Sequence, residues 1–168
     1  MPRTNRRVAA AIRPALTFGR RGDPLDAGDA ARAPGGKGDR TLIAVALTAA
    51  GAACLALEGA VHLQQLVEIF HSVSWIGPLF ALNAAACAVT IIGILPRRTR
   101  TLATLAGVAV SLGALVALAL SYTVGLFGWV ESGLRMPIAL AIASEIGAIL
   151  TLTGALAAGR VGQREQPR

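Results

Sequence analysis

The chain has 168 residues, a length that suits one domain. Hydrophobic residues make up 54% of it and charged residues only 15%, against about 25% charged in soluble domains, and mean hydropathy is +0.61. This balance excludes a water-soluble four-helix bundle, whose helices need a polar stripe; residues 102–120 offer only Thr104 and Ser111.

Net charge is +7 and the pI about 11.2, values that can mark a nucleic-acid binder. The placement of the charge argues against one. Basic residues are not interleaved with aromatics, as a single-strand reader requires. Every Lys and Arg except Arg135 lies before the first apolar run, in the turn after the second, or beyond the fourth. The positive-inside rule then puts both termini in the cytoplasm. The lipid bilayer is the expected partner, and no nucleic acid is.

Residues 1–40 are rich in Arg, Pro, Gly, Asp and Ala. Their apolar patch, residues 8–18, is broken by Arg13 and Pro14 and falls short of the ~20 residues a span needs. This reads as a disordered basic cytoplasmic tail. Its expected contact is anionic lipid, at roughly 1 kcal/mol per basic residue near the surface.

The first span is expected over about residues 41–66. Glu58 and His62, four apart, share a face. Cys54, Gly51 and Ala44 lie on that face too, small residues that let helices approach closely in lipid. A polar turn over residues 67–77 holds Glu68, His71 and Trp75. The second span, about 75–95, turns Asn83, Cys87 and Thr90 to one side; Pro96 and the cluster Arg97-Arg98-Thr99-Arg100 close it. The third, about 101–124, has a small face of Gly107, Ser111 and Ala114 and ends near Tyr122. A loop with Trp129 and Glu131 leads to the fourth, about 136–158. Pro137 stands in its first turn, where a missing N–H costs nothing. Ser144, Gly147, Thr151 and Gly154 form its small face, and Glu145 lies within it. Residues 160–168 are a short cytoplasmic tail. Phe70, Trp75, Tyr122, Phe127 and Trp129 collect at one boundary, as an interfacial belt does. Cys54 and Cys87 fall inside apolar runs and read as free thiols acting as small hydrophobes. The expected fold is all-α: a four-helix transmembrane bundle over residues 41–159, multi-pass in the cell membrane.

Glu145 is the strongest candidate for chemistry. It stands eight residues past Pro137, about 12 Å into the helix at 1.5 Å per residue, where an ionisable group is expensive and marks function by default. The plain alternative is a carboxyl group that ties two helices together. Asn83 lies about 12 Å into the second span from the same side, level with Glu145. Glu58, about 26 Å up the first span, sits nearer the outer surface, with His62 one turn beyond. Together these predict a ligand or proton pocket of Glu58, His62, Asn83, Tyr122 and Glu145 in the outer half of the bundle. The competing expectation is that these groups satisfy one another and bind nothing. Gly51, Gly107, Ser111, Gly147 and Gly154 are the expected helix-packing positions. His62, Glu68 and His71 raise a metal reading, but two His nine apart across a helix end do not make a recognised ligand set. A haem would need an axial His, and none faces His62 from another span. No metal and no cofactor are expected.

Three short motifs carry a likeness: Gly59-Ala60-Val61-His62-Leu63, Ser121-Tyr122-Thr123-Val124-Gly125-Leu126 and Ala143-Ser144-Glu145. Over residues 41–158 the chain resembles small four-span membrane proteins of high-GC Gram-positive bacteria. The resemblance implies the four-span topology and the positions of His62 and Glu145; it implies no activity. Where this chain has Tyr122, that group often carries Arg, so an Arg–carboxylate pair with Glu145 is not implied here.

The leading functional expectation is a structural or accessory membrane protein acting through helix packing, with itself or with a partner as an oligomer. No reaction is assigned, and an enzyme is the lesser expectation. The alternative is a proton-coupled transporter or ligand-binding protein built on Glu145. A third is an oxidoreductase subunit holding haem, quinone or metal.

Overall fold

The computed structural model describes residues 36–164, with side chains over residues 38–159. Among the described residues there are four long helices and no strand: α1 (Gly36–Gln65), α2 (Ile76–Ile94), α3 (Arg100–Thr123) and α4 (Met136–Arg164). A π-helical turn, Leu66–Phe70, prolongs α1. The polar turn expected over residues 67–77 is therefore shorter. Residues 36–40, expected in the disordered tail, are already helical, and α4 continues through residues 160–164, expected in the C-terminal tail. The remainder of both tails, with the expected lipid contact of the first, lies outside the described residues.

Local chemistry sets the helix ends. Pro78 sits in the first turn of α2 and Pro137 in that of α4, positions with no intrahelical acceptor to lose. α2 stops before Pro96. Its last carbonyls are taken up by Arg100, whose Nε donates to Ile94 O at 3.0 Å and Nη2 to Leu95 O at 3.3 Å. Cationic donors at a helix C-terminus also complement its dipole. α3 ends where Gly125 adopts φ +82°, its N–H still reaching Leu120 O at 2.9 Å. A left-handed residue of this kind turns the chain off a helix at no steric cost when it is Gly.

The helices form an antiparallel ring in which each packs on its neighbours in sequence and α1 packs most extensively on α4. α2 and α4 stand across the ring from each other, with no Cα atoms within 8 Å. We call the end holding the Pro96–Arg100 turn the basic end, and the end holding Phe70 and Trp129 the aromatic end. Toward the basic end the interior is dense. Leu55, Cys87, Ile94, Ala148 and Leu152 form its buried core. Gly51 lies directly under Leu152, so a Cβ there would overlap that side chain. A Cβ on Gly107 would stand 2.8 Å from Leu152 Cδ1, one on Gly147 2.9 Å from Cys54 Sγ, and one on Gly154 3.2 Å from Leu47 Cδ1. These glycines bring the helices together, which is the use of small residues in apolar bundles.

The outer surface is apolar. Leu42, Leu82, Val89, Ile92, Leu102 and Leu150 are each at least 65% exposed. The four segments Gly38–Phe70, Ile76–Ile94, Arg100–Thr123 and Met136–Gly159 are long and apolar enough to cross a membrane; the shortest, 19 residues, is about 28 Å long at 1.5 Å per residue, against a hydrocarbon core of about 30 Å.

Candidate functional site

The site begins with one helical face. Glu58, His62 and Gln65 follow one another at spacings of four and three on α1, so all three point into the ring. Glu58 is completely buried (0% exposed) and its carboxyl group is fully engaged. Asn83 Nδ2 on α2 donates to Oε1 at 3.2 Å, and Ser111 Oγ on α3 donates to Oε2 at 2.6 Å. Asn83 Oδ1 in turn accepts from Cys87 Sγ at 3.4 Å. One carboxyl group thus pins three helices, each bond to it worth about 1.5–3 kcal/mol when the acceptor is charged.

Glu145 on α4 is equally buried (1% exposed) but differently served. Its Oε1 lies 3.9 Å from His62 Nε2, too far for a hydrogen bond. Its Oε2 has no hydrogen-bond partner among the described residues. His62 Nδ1 lies 2.9 Å from the Glu58 backbone carbonyl. A carbonyl only accepts, so Nδ1 carries the hydrogen and Nε2 is the nitrogen turned to Glu145. Gln65, 4% exposed, repeats the anomaly: its Oε1 is buried without a partner among the described residues.

Both Glu145 and Gln65 line a cavity of about 490 Å³ at the aromatic end, enclosed by residues of all four helices. Volumes of this order hold drug-sized molecules. Its polar floor is His62, Asn83 and Glu145. Its walls are mostly apolar, drawn from Leu79, Phe80 and Ala86 of α2 and Val110, Ala114 and Ala117 of α3. Its roof is Leu126, Trp129 and Glu131. Between α2 and α3 the lining residues Leu82, Ala109 and Gly113 are themselves exposed, which opens the cavity sideways onto the apolar outer surface. A Cβ on Gly113 would meet nothing within 4 Å.

The roof is held by its own bonds. Phe127 and Gly128, at φ +50° and +83°, form a two-residue turn closed by reciprocal Leu126–Trp129 backbone bonds of 2.8 and 2.9 Å; positive φ at both central residues is the pattern of a type I′ turn. Glu131 N donates to Ser121 O at 3.1 Å, and Arg135 Nη2 bonds both Glu131 carboxyl oxygens, at 3.1 and 3.2 Å. Aromatic contacts run from roof to floor: Trp129 sits edge-on to Phe70 at 5.1 Å, Phe70 stacks on Phe80 at 4.7 Å, and Phe80 tilts over His62 at 5.0 Å.

Of the residues expected in one pocket, Glu58, His62, Asn83 and Glu145 come together. Tyr122 does not: it is 38% exposed, and its hydroxyl donates to Gly133 O at 2.9 Å, fastening the roof loop from outside. It lies at the end of α3, one residue past the inward-facing Ser121, and a step of about 100° on a helix turns it away. Ser111, expected only as a packing residue, also holds Glu58. The spacing Gly107-xxx-Ser111 looks the same for either role. Gln65 was open to discovery, since it continues the Glu58–His62 face. Phe70 and Trp129 read as interfacial aromatics by their position near a span end, and nothing in their spacing marks them as wall and roof. Glu68 and His71 are exposed, and Glu68 accepts from Gln64. Compared with protein-family models, curated proteins and solved structures, the chain finds no match.

Proposed function

We propose that this is a multi-pass protein of the cell membrane, both termini cytoplasmic, that binds a small, largely apolar molecule in the cavity at its aromatic end. Exposed Leu, Ile and Val around all four helices support the membrane setting, because in water so much apolar surface would drive association. Orientation follows the basic residues, which the positive-inside rule assigns to the cytoplasm. The cavity then lies in the outer half of the bilayer with its mouth toward lipid.

The observation that carries the binding reading is the pair of buried, unpartnered acceptors, Glu145 Oε2 and Gln65 Oε1, on the lining of one cavity. Leaving such groups unpaired costs about 1–3 kcal/mol each. That cost is understandable at a binding site and wasteful in a protein whose work is packing. The accessory reading draws on Gly51, Gly107, Gly147 and Gly154, but their close contacts are spent on this chain's own helices.

Trp75→Phe leaves Trp129 as the single tryptophan, a fluorophore in the cavity roof. In nanodiscs, 1-bromodecane is expected to quench it saturably, and Gly113→Leu, placed at the mouth where an added Cβ meets nothing within 4 Å, to weaken that quenching at least tenfold. Quenching that rises linearly with membrane bromodecane and ignores Gly113→Leu would mean simple partitioning and overturn the reading.

A further inference from the structure

Resting on that reading, we infer that the cavity selects a primary ammonium carried on an apolar chain, with Glu145 as its counter-ion. Four observations converge on this class. The two unpartnered buried atoms of the lining, Glu145 Oε2 and Gln65 Oε1, are both oxygens that can accept, and a primary ammonium brings three N–H donors and no acceptor. Two carboxyl groups, Glu145 on the floor and Glu58 bonded to the floor's Asn83, stand against one imidazole, His62. Glu58 is already bonded to Asn83 and Ser111, so Glu145 is the acid left to face a ligand. The other acid of the lining, Glu131 in the roof, is matched by Arg135. The wall beside the floor is aromatic and apolar, with Phe80 and Phe70 in line from His62, and a charge pair shut off from water there is stronger than in solution.

The apolar part of the ligand follows from the mouth. Leu79, Leu82, Ala109 and Gly113 line the gap between α2 and α3 and are exposed to the apolar surroundings of the bundle. A chain lying in that gap keeps its methylenes in hydrocarbon while its head reaches the floor. A carboxylate head brings acceptors and no donor to these oxygens, and an alcohol, with one O–H, can donate to only one of the two acceptors at a time.

The test is competition for the bromodecane signal in Trp75→Phe nanodiscs, with decylammonium, decanol and decanoate compared at equal membrane mole fraction. Decylammonium is expected to displace at least tenfold better than either. Glu145→Gln, which keeps the side chain's size, is expected to collapse the ammonium-to-alcohol ratio toward one. Gln65→Leu provides a second variant and is expected to lower that ratio several-fold. Equal displacement by the three probes, or a preference for ammonium that survives both substitutions, would overturn the inference while leaving the cavity as a binding site. Absence of saturable bromodecane quenching in the first place would overturn the binding reading itself.

Discussion

Two sets of glycines in this bundle stand in opposite surroundings. Toward the basic end, Gly51, Gly107, Gly147 and Gly154 each stand against a neighbouring side chain, and the space a Cβ would need is already filled. Toward the aromatic end, Gly113 borders open space, and the helices it stands among enclose a cavity. The carboxyl groups divide along similar lines. Glu58 has both oxygens bonded and ties α1 to α2 and α3, whereas Glu145, on the cavity floor, keeps an oxygen unbonded.

The largest effect should come from filling a closed position. Gly51→Leu or Gly107→Leu forces a branched side chain into Leu152 and is expected to destabilise by about 3 kcal/mol or more, read as earlier loss of helicity on titrating micelles with SDS. Opening the same region comes next: Leu152→Ala removes a fully buried side chain and should cost about 2–5 kcal/mol by the same measurement. Ser111→Ala deprives the Glu58 carboxyl group of its shorter bond and should cost about 1–3 kcal/mol. Glu131→Gln acts on a part-exposed ion pair at the roof, for which about 0–1 kcal/mol is expected. Gly113→Leu should be stabilising by up to about 1 kcal/mol, through helix propensity alone. A large loss of stability in Gly113→Leu would erase the contrast between the two ends.

Much of the architecture was legible in the sequence, because hydropathy and charge placement are read over whole spans. The helices lie within a few residues of the expected spans except at the start of α1, the end of α4 and beside the π turn. Glu58, His62, Asn83 and Glu145 could be grouped by depth along their helices, since rise per residue is fixed. Direction around the helix is a finer property, and depth says nothing of it. Tyr122 has the right depth and the wrong direction, while Gln65 has the right direction and lies outside the expected pocket set. Which carboxyl group is satisfied was not legible at all: it turns on the tenths of an ångström between Ser111 and Glu58, and Ser111 is separated from Glu58 by 53 residues.

The most direct measurement of the central claim is photo-crosslinking with a decylamine that carries a diazirine on its chain, followed by peptide mapping of the adducts. Adducts concentrated on the cavity lining, at Leu79, Ala86, Val110 and Ala114, and reduced by Gly113→Leu, are the predicted result. Adducts spread evenly over the outward-facing Val89, Leu102 and Leu150, and indifferent to Gly113→Leu, would contradict it.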